Sequence, residues 1–263
     1  MKIYKITLQQ ILRVQWVLFP TILFQSCLAP QYQVTYKPRE FYKIESSTET
    51  HKKIEKIILP YRTKLEKEMG QTIAMLKSPA VKGKPESTLG NLTCDILLRQ
   101  AQVFSDTVSI KAPMVCLLNS GGLRAPLPTG NITVGHVFEL MPFENRFVAL
   151  LISQENFQKL CSYVAEKGGE PLGGFKIKIH QNSVSDCTIG EKKCGEFPRI
   201  WTLTSDYLAD GGDKMIFFKN PIARHDLHVT VRDALIEGLK RWSQAGKIPL
   251  EPSFDQRISH HSQ

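Results

Sequence analysis

Pro113-Met114-Val115-Cys116-Leu117-Leu118-Asn119-Ser120-Gly121-Gly122-Leu123-Arg124 begins as a continuous apolar run and closes on a pair of glycines and an arginine. So short an apolar run, bounded by a turn signal, reads as a buried strand rather than a helix. The strand feeds a tight turn in which two residues lack side chains, so a ligand can approach backbone N–H groups there. Arg124 can grip a phosphate or carboxylate through two parallel hydrogen bonds. On its own, a glycine turn beside an arginine is usually only a turn.

Working outward, residues 147–152 read as a second buried strand, and 175–179 and 200–204 alternate in strand fashion. Residues 72–77 and 214–218 are expected to be strands too, with a loop at 78–85. Ile54, Ile57, Ile58, Tyr61, Leu65 and Met69 recur at helical spacing with charges between them, which predicts an amphipathic helix facing a core, kinked or started by Pro60. A helix over 87–104 carries Leu92, Ile96, Leu97 and Val103. Another over 154–167 places Phe157, Leu160, Cys161 and Val164 on one face and stops at Gly168-Gly169. Thr230-Val231-Arg232-Asp233 has the pattern of a capping box, in which the threonine oxygen and the aspartate carboxylate satisfy exposed helix N–H groups. It opens a last helix. Strands and helices mix without a regular βαβ repeat, so the expectation is a mixed α/β (α+β) single domain over 54–247, followed by an irregular tail at 248–263.

Composition agrees with a folded domain: 42% apolar and 22% charged residues lie near the globular average. The formal net charge is +9, part of it from Lys2, Lys5 and Arg13 at the N-terminus. The remaining mildly basic balance fits an anionic ligand, an anionic membrane surface or nucleic acid, or simply a solvated surface, and does not choose among them. Residues 1–26 combine those basic residues with an apolar stretch from Val14 to Phe24 and read as an export signal. Leu23-Phe24-Gln25-Ser26-Cys27 resembles a bacterial lipobox, although Phe24 departs from the usual small or aliphatic residue. Residues 27–53 are then expected to be a lipid-attachment site at Cys27 and a polar tether. An ordinary signal peptide with Cys27 incidental is the alternative. Of the other cysteines, Cys94, Cys116 and Cys161 lie in apolar contexts where buried free thiols are ordinary. Cys187 and Cys194 flank a polar loop, and in an oxidising compartment a small loop disulfide is placed slightly ahead of two free thiols. Two cysteines without a second pair argue against zinc.

Five segments, taken together, resemble the C-terminal domain of the 5'-nucleotidase family. Asn119-Ser120-Gly121-Gly122-Leu123-Arg124 is similar to its Asn-x-Gly-Gly-x-Arg motif, and residues 130–143, from Gly130-Asn131-Ile132-Thr133 to Pro142-Phe143, to the segment that follows. Tyr207-Leu208-Ala209-Asp210-Gly211-Gly212-Asp213 resembles the aromatic-Leu-Ala-x-Gly-Gly-Asp motif. Ser87-Thr88-Leu89-Gly90 and Val231-Arg232-Asp233-Ala234-Leu235 match at either end, and the order is kept from about residue 54 to 242. The resemblance implies a domain that holds a nucleotide or nucleoside rather than nucleic acid. In that role Phe143 and Tyr207 would sandwich the base and Asn119 would orient the ligand. Gly121 and Gly122 would let it approach, Arg124 would pair with its phosphate, and Asp213 would contact base and ribose or fix the aromatic loop. Asn145 is a weaker candidate for a base contact. One departure stands out: where family members commonly carry a further arginine, this chain has Lys82-Gly83-Lys84-Pro85. A lysine supplies charge without the bidentate fork.

In the family, hydrolysis belongs to a separate domain with two metal ions, whose Asp-x-His, Asn-Gly-Asn-His and Gly-His-x-His signatures do not occur in this sequence. No catalytic residue, metal ligand or cofactor is therefore assigned to the chain, and divalent ions are expected only in a partner subunit bearing that domain. Ser120 lacks the Gly-x-Ser-x-Gly elbow of a serine nucleophile. Two functions follow: the nucleotide-recognition subunit of a split 5'-nucleotidase, or a binding lipoprotein of a bacterial envelope, periplasmic or surface-exposed, that captures nucleotides without hydrolysing them.

Overall fold

The computed structural model describes residues 51–104, 112–246 and 249–260. The expected export segment, Cys27 and most of the expected tether lie outside the described residues.

The chain builds α1 (Lys52–Met69), β1 (Thr72–Leu76), α2 (Thr88–Phe104), β2 (Met114–Leu117), β3 (Gly130–Thr133), α3 (Val134–Leu140), β4 (Arg146–Ser153) and α4 (Gln154–Glu166). There follow β5 (Leu172–Gly173), β6 (Lys176–His180), β7 (Ser183–Ile189), β8 (Lys192–Lys193), β9 (Arg199–Ser205) and α5 (Asp206–Ala209). β10 (Ala223–Thr230), α6 (Val231–Gln244) and β11 (Ile258–His260) complete the order. The result is a mixed α/β domain. Its centre is a five-stranded sheet in the order β10-β4-β9-β2-β5, flanked by the two-stranded β1-β3 and a four-stranded sheet β11-β6-β7-β8.

The central strands are buried on both faces, and their pleat distributes side chains between two cores. Along β4, Phe147 and Ala149 enter one core while Val148, Leu150 and Ile152 enter the other. Trp201 and Leu203 of β9 join the first and Ile200 the second. Cys116 of β2 faces the first core, Val115 and Leu117 the second. On the first face lie α2 and α6, whose Ile96, Leu97, Leu235 and Leu239 are buried together. Against the second lies α4, with Phe157, Leu160, Cys161 and Val164 turned inward.

Three expectations are corrected. Helix α1 forms, running through Pro60, but faces no core among the described residues: none of its residues is buried, and Ile57 and Tyr61 are 68% and 75% exposed. Its last residue, Met69, meets the domain at Gly135, where a Cβ would come within 3.2 Å of the Met69 carbonyl oxygen, a tight contact. Residues 214–218 form two 3-10 turns, Gly212–Lys214 and Ile216–Phe218, in place of a strand. Phe217 and Phe218 are both buried, which a strand's alternation would forbid on a single face and a helical turn allows. The segment after 247 is not irregular throughout: Leu250 bridges Leu76, and β11 pairs parallel with β6, matching Ile258 to Ile177. Arg257 anchors it, 7% exposed, bonded through Nη2 to Asp95 (2.7 Å), through Nε to Asp255 (2.8 Å) and through Nη1 to the Leu172 carbonyl (3.1 Å).

The cap of α6 is half of the expected box: Thr230 Oγ1 accepts from the Asp233 N–H at 3.0 Å, while Asp233's carboxylate lies 3.9 Å from Arg232 Nε. A complete box occurs at α3, where Thr133 Oγ1 accepts from the His136 N–H (3.3 Å) and His136 Nδ1 accepts from the Thr133 N–H (3.1 Å). Cys187 and Cys194 are joined by a disulfide, and Cys94, Cys116 and Cys161 are free and buried.

Candidate nucleotide site

Strand pairing gathers the motif residues at one edge of the central sheet. β2 and β9 run parallel, with Cys116 opposite Leu203, so the turn after β2 and the helix after β9 emerge side by side. β4 runs antiparallel to β9, with Phe147 opposite Ser205, which brings its entry, Phe143 to Asn145, to the same end.

Asp213 is the hub of this edge. Its Oδ2 accepts from Asn119 Nδ2 at 2.6 Å, and its Oδ1 accepts from the Tyr207 hydroxyl at 2.9 Å. Its carbonyl accepts from the Tyr163 hydroxyl of α4 at 3.0 Å. The Asp213 backbone is left-handed, with φ 51°, a conformation aspartate tolerates better than most residues. Two glycines are required by close approach. A Cβ on Gly212 would sit 2.5 Å from the Tyr207 ring, and one on Gly122 would sit 2.6 Å from Asn119 Oδ1. Hydrogen bonding to the Asp213 carboxylate raises the Tyr207 pKa, and burial, with the nearby Glu170 and Asp213 charges, pushes that of Tyr163 up to about 12. Both phenols therefore remain donors at neutral pH.

Phe143 and Tyr207 are 46% and 47% exposed. Tyr207 is held by its hydroxyl, Phe143 by its backbone. Arg232, 5% exposed, donates to the Phe143 carbonyl at 3.5 Å and to Glu144 Oε1 at 2.5 Å, and its guanidinium lies 4.1 Å from the centre of the Phe138 ring. Asn145 is half-buried, and its carbonyl accepts from the Val231 N–H. A small recess bounded by Asn119, Gly122, Phe143, Asn145 and Arg232 lies behind Phe143. Sequence reasoning matched Arg232 to a motif but gave it no part in the site. The signal was a charged residue within a helical start whose neighbours are apolar.

Arg124 is exposed. Its N–H donates to the Leu140 carbonyl at 2.7 Å, and among the described residues its guanidinium makes only a long 3.4 Å contact with the Gly121 carbonyl. Ser120, by contrast, is occupied: its N–H and hydroxyl both donate to Glu170 Oε2, at 2.6 and 2.5 Å. Lys84 donates to the carbonyls of Lys167, at 2.7 Å, and Gly169. Its charge thus completes the C-terminal end of α4, where cations are favoured, and Lys82 is exposed.

Among the described residues no three His, Cys, Asp or Glu side chains converge as ligands. His136 caps α3, and His225 packs against the Trp201 ring at 5.3 Å.

An aromatic and polar cluster thus gathers on this sheet edge, and comparison places the chain in a family. The chain belongs to the family described as 5'-nucleotidase, C-terminal domain, which it matches over residues 68–220. It is 25% identical over 182 residues to the 5'-nucleotidase of Mus musculus, covering 60% of this chain and 32% of that protein. It is 23% identical over 212 residues to that of Homo sapiens, covering 70% and 37%. The chain therefore spans about a third of the length of these relatives. The fold is similar to the 5'-nucleotidase precursor of Thermus thermophilus (TM-score 0.66, 21% identity, 80% of this chain, 43% of that one). It also resembles the NAD nucleotidase of Haemophilus influenzae (TM-score 0.61, 13% identity, 81% and 42%).

Proposed function

We propose that the chain is the nucleotide-recognition subunit of a 5'-nucleotidase, binding nucleoside monophosphates for a two-metal phosphoesterase carried on a separate chain, in a bacterial envelope to which Cys27 tethers it. The observation that supports this reading most is the Asp213 hub, which fixes Asn119 and Tyr207 together beside the exposed ring of Phe143. In this reading the base stacks between Phe143 and Tyr207, a geometry worth about 0.5 to 1.5 kcal/mol beyond area burial. Asn119 and Asn145 contact its edge, and Asp213 uses its carboxylate for positioning rather than for ligand. Arg124, whose guanidinium makes only the long contact with Gly121 among the described residues, takes the phosphate.

Calorimetry with AMP and adenosine tests binding, and mixing the chain with a purified two-metal phosphoesterase subunit tests the assembly. Faster phosphate release from AMP than with the metal subunit alone is the expected result. No gain at saturating chain would overturn the subunit reading.

A second reading rests on Lys84. Because its ammonium group is engaged by the carbonyls after α4, phosphate recognition falls to Arg124, and the aromatic pair would serve a free nucleoside nearly as well. A chain that binds adenosine as tightly as AMP, and never promotes hydrolysis, would be a capture protein rather than a catalytic subunit.

A further inference from the structure

Cys161 lies on α4 with its Sγ 3.8 Å from Sγ of Cys187, which is itself bonded to Cys194. Cys161, Cys187 and Cys194 all line one cleft of about 490 Å³ on the side of α4, open to solvent, whose other walls include Gln154, Gln158 and Asp186. The charges on this wall, Asp186 and Lys193, are paired with each other at 2.6 Å. A disulfide that only staples a loop needs no third thiol in contact with it.

We propose that this cleft is a thiol–disulfide exchange site in which Cys161 attacks the Cys187–Cys194 disulfide and hands a reactive thiol to Cys194. Cys161 first gives its proton to solvent. Its sulfur lone pair then bonds to Sγ of Cys187, the Cys187–Cys194 bond breaks, and its electron pair leaves on Sγ of Cys194, which takes up a proton. One thiol and one disulfide exist before and after, so no outside oxidant or reductant enters. The exchanged form presents Cys194 at the cleft, where a low-molecular-weight disulfide can form a mixed disulfide with it and release one thiol.

Burial pushes the Cys161 thiol up to about 12, so exchange is slow at neutral pH and gains about tenfold per pH unit below that value, because the thiolate is the attacking species. The full chain is incubated with iodoacetamide at pH 7 and pH 9, quenched in acid, and its disulfides mapped by mass spectrometry. The expected result is a Cys161–Cys187 cross-linked peptide with Cys194 carbamidomethylated, forming faster at pH 9. Cys161→Ala should keep Cys187–Cys194 intact and Cys194 unlabelled. Carbamidomethyl on Cys161 with Cys187–Cys194 intact, or no change at this cluster while near-UV circular dichroism stays native, would overturn the proposal. Cys194→Ala supplies an independent reading. With oxidised glutathione as the named oxidant it should form Cys161–Cys187, and a variant that gives only glutathione adducts would equally overturn it.

Discussion

The Tyr207 hydroxyl donates to one oxygen of the Asp213 carboxylate while Asn119 donates to the other, at 2.9 and 2.6 Å. One acidic side chain thus couples an aromatic ring from the segment after β9 to an amide from the turn after β2. Replacing it should loosen both at once. Asp213→Ala is expected to weaken AMP and adenosine alike, by about tenfold or more, since it disturbs a stacking ring and leaves an amide and a phenol without their charged acceptor. Tyr207→Phe, which keeps the ring and loses only the hydroxyl, should cost less. Calorimetry on the three proteins checks the order, and a larger loss in Tyr207→Phe than in Asp213→Ala would contradict it.

Arg124 should separate nucleotide from nucleoside. Its removal takes away a charge-assisted contact worth about 1.5 to 3 kcal/mol, so Arg124→Ala should weaken AMP roughly ten- to a hundredfold. Adenosine should be unaffected. Equal losses for both ligands would remove phosphate from the role of Arg124.

Arg257 should matter to stability and not to ligand. Its guanidinium is buried against Asp95, Asp255 and two carbonyls. Truncation that leaves such partners unpaired typically costs about 3 to 5 kcal/mol, and the partly exposed Asp95 and Asp255 place Arg257→Ala near the lower figure. The denaturant midpoint should fall accordingly, with affinity for AMP in the surviving folded protein unchanged.

Alkali should act on the same edge. Tyr163 is held protonated in the fold, its pKa pushed from the ordinary 10.0 to about 12. The unfolded chain therefore releases this proton first, and stability that is complete below pH 10 is lost as pH rises toward 12. Tyr163→Phe cannot titrate at this position, so its melting temperature should fall less steeply than wild type between pH 10 and 12. Parallel curves would show that the Tyr163 environment is not the cause.

Much of this was legible in the sequence, and the gaps have physical reasons. The buried strands β2, β4 and β9 and the helices α2, α4 and α6 declare themselves because their periodicity reflects contact with a core. Strand β10 does not: it is an edge, and its Arg224, His225 and His228 are exposed. Helix α1 carries the pattern of a core helix without a core against it among the described residues, so periodicity identified the helix and misjudged its surroundings. At the site, the motif order named Asn119, Phe143, Tyr207 and Asp213. It offered Asp213 as fixing the aromatic loop but could not say that Asp213 also holds Asn119, nor that Lys84 is turned away to the end of α4, because both depend on segments distant in sequence.

Strand β11 is the last of the described elements in chain order, and it pairs with β6, about eighty residues earlier. Until Ile258–His260 arrives, β6 is an unpaired edge open to other chains. During synthesis the second core can begin to assemble around α4 well before this edge is closed, so the interval before β11 is made is one in which the nascent protein is exposed to aggregation.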